Sequence, residues 1–224
     1  VRRAPGCVDR GHMELSLSRV DLLQVGTTSR NTLKLLPLSK RSTQKVVVGD
    51  NSGVIHCFGV KKGQASESFV SKPLSKDIGA VSLGGGSKGN NFIFAAAGRT
   101  ITGFSRKGKP IYEFPCPQTE DIRGLQVVQT EERIFAAGDF VLTEYCKGHE
   151  ENYFQSNDKI NDLLLQKPGG GAFESALACQ DRQIRVVRGS KCVQQATVGG
   201  PATAVTNFDA NGAFDPGVRG LGAA

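Results

Sequence analysis

One pattern recurs four times along this chain. An apolar run leads into a tight turn with Asp or Gly, then a second apolar run, then a basic residue and Gly. The copies begin with Val46-Val47-Val48-Gly49-Asp50 into Val54-Ile55-His56-Cys57-Phe58, closing at Lys62-Gly63. Phe92-Ile93-Phe94-Ala95-Ala96 leads into Ile101-Thr102-Gly103-Phe104 and closes at Lys107-Gly108. Arg133-Ile134-Phe135-Ala136-Ala137-Gly138-Asp139 leads into Val141-Leu142-Thr143-Glu144-Tyr145 and closes at Lys147-Gly148. The last copy runs from Ala176-Leu177-Ala178-Cys179-Gln180-Asp181 into Ile184-Arg185-Val186-Val187 and closes at Arg188-Gly189. The closing glycines are spaced by 45, 40 and 41 residues (63 to 108, 108 to 148, 148 to 189). A β repeat of ~40–45 residues is the period of a propeller blade, a unit that must stack on neighbours to bury its apolar faces.

Short runs rich in Val, Ile, Phe and Leu alternate with Gly, Asn, Asp, Ser and Lys clusters, which is strand punctuation. No segment between Met13 and Pro201 keeps an amphipathic helical period with caps. The expected fold is therefore all-β: an incomplete β-propeller of four four-stranded blades, roughly 32–69, 80–114, 124–155 and 160–198, within a unit spanning 13–206. A further strand over Ala202–Asn207 would begin a fifth blade. Glu14–Val25 also reads as a strand, of the kind that completes the last blade of a ring. Four blades with one stray strand would leave an open edge, so the expectation is a piece of a larger propeller. Residues 1–12 read as a non-native or disordered leader, with Gly11-His12-Met13 either a cloning scar or the true start at Met13. Residues 207–224, rich in Gly, Ala, Asp and Pro, read as a ragged tail.

A hydrophobic content of 38% with 22% charged residues is that of a globular protein. No apolar stretch reaches the ~18 residues of a membrane helix. Six scattered cysteines, none in a C-x-x-C pair, point to a reducing, cytosolic setting. The net charge of +7 is unevenly placed. Arg30 to Lys62 holds seven bases against one acid, whereas Cys116 to Asp162 holds four bases against ten acids. This is either ordinary solvated charge or two faces for differently charged partners, such as a subunit and an anionic lipid surface. The phenylalanines lie inside apolar runs rather than among exposed bases, which argues against nucleic acid as a partner.

Several stretches resemble chemical motifs and fail on context. Gly84-Gly85-Gly86-Ser87-Lys88-Gly89 contains G-x-G-x-x-G, but a strand, Phe92-Ile93-Phe94-Ala95, follows where a dinucleotide site needs a helix. Asn90 stands where a P-loop has its lysine. This stretch and Lys167-Pro168-Gly169-Gly170-Gly171 read as hairpin loops. Cys146 and His149 are two possible metal ligands, with no partner cluster and with His12 and His56 remote in sequence. Asp50, Asp139 and Asp181 recur at equivalent positions, which suits tight turns better than catalysis. Gly49-Asp50-Asn51-Ser52-Gly53 has a serine-protease look without a triad and reads as a turn. Glu150 to Ser156 fits the site of a viral protease used to remove tags, and its place in a strand makes this a coincidence. No Trp occurs, hence no W-D dipeptide and no aspartate-box motif of the sialidase type. The sequence marks no catalytic, cofactor-binding or metal-ligating residues, and it leaves the partner-binding residues unnamed.

Particular segments carry a family resemblance. Val20-Asp21-Leu22-Leu23-Gln24-Val25-Gly26, Thr43 to Asp50, and Gly53-Val54-Ile55-His56-Cys57-Phe58-Gly59-Val60-Lys61-Lys62-Gly63 resemble, in order and spacing, the N-terminus of the family of the seventh Bardet–Biedl syndrome protein. Asp158-Lys159-Ile160-Asn161-Asp162 and Leu177-Ala178-Cys179-Gln180-Asp181-Arg182 continue it. The resemblance runs from about Met13 to Pro201, is absent from 1–12 and after about Asn207, and is interrupted by the idiosyncratic loop at 84–90. It implies a seven-bladed propeller followed by a coiled coil and further domains. It also implies a subunit of the BBSome, a coat-like complex that moves membrane-protein cargo into and out of cilia along intraflagellar transport trains. The implied partners are the other BBSome subunits and, indirectly, a small Arf-like GTPase, the ciliary membrane and its cargo. The implied location is the cytoplasm, the cilium with its membrane, and the basal body region. No cofactor and no catalytic residue come with the family. The expectation is a non-catalytic scaffold, and the alternative is a generic protein-interaction propeller in another cytosolic assembly.

Overall fold

The computed structural model describes residues 19, 21–37, 44–85 and 91–206. Among the described residues sixteen strands form four separate antiparallel sheets, each a simple up-and-down meander. The first blade is β1 (Leu33–Leu36), β2 (Gln44–Gly49), β3 (Ile55–Lys61) and β4 (Gln64–Val70). The second is β5 (Ile78–Gly85), β6 (Asn91–Ala97), β7 (Thr100–Phe104) and β8 (Pro110–Pro115). The third is β9 (Gly124–Val128), β10 (Arg133–Ala137), β11 (Val141–Cys146) and β12 (His149–Gln155). The fourth is β13 (Ile160–Gln166), β14 (Glu174–Cys179), β15 (Gln183–Arg188) and β16 (Lys191–Thr197). Two single 3-10 turns, Gln129–Glu131 and Pro168–Gly170, interrupt the strands, and no α-helix occurs among the described residues. This is the expected partial propeller.

Strand alternation explains how the blades stack. Side chains of a strand point alternately to its two faces. On β6, Ile93, Ala95 and Ala97 bury toward the first blade with Val47, Ile55 and Cys57. On the same strand, Phe94 and Ala96 bury toward the third blade with Ile122, Leu125 and Ile134. The third blade repeats the device: Ile134 and Ala136 face back, while Phe135 and Ala137 face Leu163, Leu177 and Val187 of the fourth. Strands buried on both faces read as continuous apolar runs, which is the first half of each repeat. Alanines crowd these strands because neighbouring sheets approach closely there. Gly79 marks the tightest approach, since a Cβ at this position would strike the Ile122 carbonyl oxygen of the next blade. On the other side of the first blade, Leu33 and Leu35 stand 59% and 58% exposed.

The basic-Gly pair that closes each repeat is the turn from third to fourth strand. Lys62 and Gly63 have φ of 51° and 74°, and Lys147 and Gly148 have 52° and 80°. Two successive positive φ values define the type I′ hairpin turn, whose twist matches that of the strands. Just before or after each turn the pairing slips by one residue, between Cys57 and Phe58, Gly103 and Phe104, Glu144 and Tyr145, and Val186 and Val187. Each slip is a bulge in the outermost strand, which increases local twist.

Two expected strands are absent over the residues described for them. Residues 19 and 21–25 carry no strand, and the rest of Glu14–Val25 lies outside the described residues. Residues 202–206 carry no strand either, and Asn207 lies outside the described residues. A strand needs a ladder partner, and the 202–206 backbone bonds elsewhere. Ala202 N donates to the Cys179 carbonyl at 3.2 Å, and Val205 N donates to the Asp162 carboxylate at 2.9 Å. The expected leader at 1–12 and tail at 207–224 lie outside the described residues.

Candidate functional site

The end of each blade with the turn between its second and third strands is here the upper rim; the opposite end is the lower rim. The recurring aspartates sit on the upper rim, and each is engaged within its own part of the rim. Asp50, buried, accepts from the Ser52 and Val54 amides at 3.0 Å each and from the Ser52 hydroxyl at 2.6 Å. Its other oxygen lies 3.0 Å from His56 Nε2. Burial opposes its charge, yet the bonds from Ser52, Val54 and His56 hold its carboxyl below the usual range. Asp181 accepts from the Gln183 amide at 3.2 Å and from the Arg185 guanidinium at 3.0 Å. Arg185 is the chief cause of its lowered pKa. Asp139 pairs with Lys159 at 3.2 Å. The second blade has Gly98 at this place. Asp50 and Asp181 thus lock their own turns, Asp139 bonds the linker to the next blade through Lys159, and the three do not converge on one site.

The other motifs take structural places. Gly84 and Gly85 end β5 as strand residues, paired with Phe92 and Asn91, so the strand runs further than Ala80–Leu83; residues 86–90 lie outside the described residues. Lys167 precedes the turn at Pro168–Gly170, pairs with Glu131 at 2.6 Å, and lies 4.6 Å over the Phe173 ring. Cys146 and His149 are cross-strand partners at one hairpin end, and no group of three metal-ligating residues occurs among the described residues. Glu150 to Gln155 lie within β12, paired to β11.

What the repeat pattern conceals is the chemistry of the seams between blades at the lower rim. Between the second and third blades a cavity of about 590 Å³ is lined by Phe94, Ile111, Tyr112, Phe114 and Ile134, with Arg133 and Lys147 also in the lining. Its rings form an edge-to-face run: Phe94 to Tyr112 at 6.0 Å, and Phe114 to Tyr145 at 5.2 Å between centroids. Burial pushes the Tyr145 phenol up to about 12 and the adjoining Cys116 thiol up to about 12, so both are neutral at pH 7. Between the third and fourth blades a cavity of about 360 Å³ is charged. There Arg133 pairs with Glu144 and with Glu151, the bulge residue of β12, and Arg188 pairs with Glu174. These pairs each lie within one blade, and the Lys167–Glu131 pair crosses the seam.

These seams do not assemble a nucleophile, a base and an oxyanion donor. They present rims and grooves on rigid sheets. A family model described as the BBS7 beta-propeller matches residues 33–217, opening on the first residue of β1. The chain belongs to the BBS7 beta-propeller family. The family match runs on to 217, beyond Pro201, where the resemblance was expected to end. A mouse (Mus musculus) relative described as BBSome complex member BBS7 is 42% identical over 203 residues, covering 89% of this chain and 28% of the relative. A Caenorhabditis elegans relative, BBSome complex member bbs-7, is 27% identical over 185 residues, covering 77% of this chain and 24% of the relative. The chain spans about a quarter of the length of these curated relatives.

Proposed function

We propose that this chain is the propeller portion of a BBSome subunit and acts as a non-catalytic scaffold. In this reading it helps carry membrane-protein cargo to and from the cilium, and it works in the cytoplasm, at the basal body region and at the ciliary membrane. Its partners are the other BBSome subunits, with a small Arf-like GTPase, membrane and cargo engaged through the whole complex. Nucleic acid has no part in it. The observation that carries the reading is the match to the mouse BBSome complex member BBS7, 42% identical across 89% of this chain.

The test is depletion of the full-length protein from ciliated cells, followed by quantitative imaging of ciliary membrane receptors. The expected result is a changed receptor content in cilia, restored by the wild-type protein. Unchanged receptor content on complete depletion would contradict the proposal.

A further inference from the structure

Among the described residues, the lower end of the seam between the first and second blades differs from the other two, because its charges are of one sign and unmatched. Lys45 and Val47 lie on the same face of β2, the face that packs toward the second blade. On β3, Cys57, Gly59 and Lys61 share that face, and Gly59 stands directly across from Lys45. The second blade reaches over this seam with its lower hairpin. Arg106 of that hairpin donates to the Pro37 carbonyl at 2.8 Å, and a Cβ on Gly108 would meet the Phe69 ring of β4. Lys45 and Arg106 therefore approach one place from two blades. The Cys57 thiol registers both: burial raises its pKa, and the charges of Lys45 and Arg106 pull against that rise.

The bases are layered. Lys45 and Arg106 are half-buried at the floor, whereas Lys61, Lys62, Lys107 and Lys109 are exposed along the two edges. None of the six forms an ion pair among the described residues. Of the acids nearest in sequence, Asp50 is engaged on the upper rim and Glu113 lines the second-to-third seam. Glu67 pairs with Phe58, on the face of the blade opposite Cys57, in a cavity that borders this seam at Cys57 and Phe69. In the third-to-fourth seam, by contrast, Glu131, Glu144, Glu151 and Glu174 match Arg133, Lys167 and Arg188.

We infer that this trough is a docking surface for an extended acidic polypeptide segment, rich in Asp and Glu, of a partner protein. Charge complementarity sets the sign of the partner. Lys45 and Arg106, half-buried between two rows of exposed lysines, favour an extended chain over a planar surface. A seam of one charge sign would also repel itself until such a segment neutralises it. The inference concerns the seam alone and stands whichever assembly the subunit joins.

The experiment uses the full-length protein and a fluorescent Asp/Glu-rich peptide of about ten residues, ~33 Å when extended. Binding is followed by anisotropy over a salt series, beside vesicles containing phosphatidylserine. The expected result is saturable peptide binding that weakens with salt. The double variant Lys61→Glu and Lys107→Glu should weaken it by about tenfold or more. Lys72→Glu and Lys191→Glu, exposed bases away from the trough, should leave binding within about twofold, a difference well under 1.4 kcal/mol per tenfold. Circular dichroism of all variants should match wild type, since these side chains are exposed. Absence of peptide binding would overturn the inference. So would equal loss in the Lys72 and Lys191 variants, which is the mark of non-specific attraction to net charge. Vesicle binding lost in the Lys61 and Lys107 variants without peptide binding would assign the trough to a membrane and overturn it as well.

Discussion

Asn31 Nδ2 donates to Asp162 Oδ1 at 3.0 Å, joining the entry to the first blade with the innermost strand of the fourth across 131 residues of sequence. The other oxygen of Asp162 accepts from the Val205 amide at 2.9 Å. Nearby, Arg30 donates to the Thr203 carbonyl at 2.7 Å. Asp162 thus gathers three separate stretches of chain at the upper rim. Asp162→Ala should lower unfolding stability by about 1–3 kcal/mol, the scale for stranding partly buried donors. Asp162→Asn should cost less, because it keeps an acceptor. Urea denaturation of the three proteins checks the order.

Asp50 and Asp181 make stability depend on acid. Both have folded-state pKa values below the ordinary ~3.9 of an unfolded aspartate. Their stabilisation is complete above that value and is lost as pH falls through the lower folded value. Thermal midpoints should therefore drop between about pH 5 and about pH 2, and Asp181→Asn should flatten part of that drop. A fall of equal steepness in the variant would remove Asp181 from the account.

Ala136 is fully buried in the seam between the second and third blades. A larger side chain there has to push two sheets apart. Ala136→Leu should cost about 1–3 kcal/mol by overpacking, read as a lower denaturant midpoint with an unchanged m-value.

Lys147 occupies a left-handed conformation, φ 52°, ahead of Gly148. That conformation costs an ordinary residue roughly 1–2 kcal/mol, and Asn tolerates it better. Lys147→Asn creates the Asn-Gly pair preferred by type I′ turns. It should raise stability by about 0.5–1 kcal/mol, a fraction of that strain, measured by the shift in thermal midpoint.

Much of this architecture was legible because blade folding is local. Each meander joins neighbours in sequence, so apolar runs and turn residues such as Lys62-Gly63 announce it. The turn role of Asp50 was legible for the same reason, since its bonds reach only to Ser52, Val54 and His56. The bulges were not, because an extra residue in β12 leaves no mark on composition, and so the aim of Glu151 at Arg133 was hidden. The strand expected at Ala202–Asn207 shows the opposite error. Its apolar and β-branched residues suit a strand, but strand formation depends on a partner, and Val205 is held by Asp162 instead. The uneven charge was plain in sequence. Its meaning was not, because Lys45 and Arg106 meet only through the stacking of two blades.

This propeller is proposed to belong to a subunit of the BBSome. Affinity purification of the tagged full-length protein, followed by size exclusion and quantitative mass spectrometry of the resulting peak, tests it most directly. The account predicts co-elution with other BBSome subunits in fixed proportion. A peak that holds the protein without them, or with the subunits of a different assembly, would contradict it.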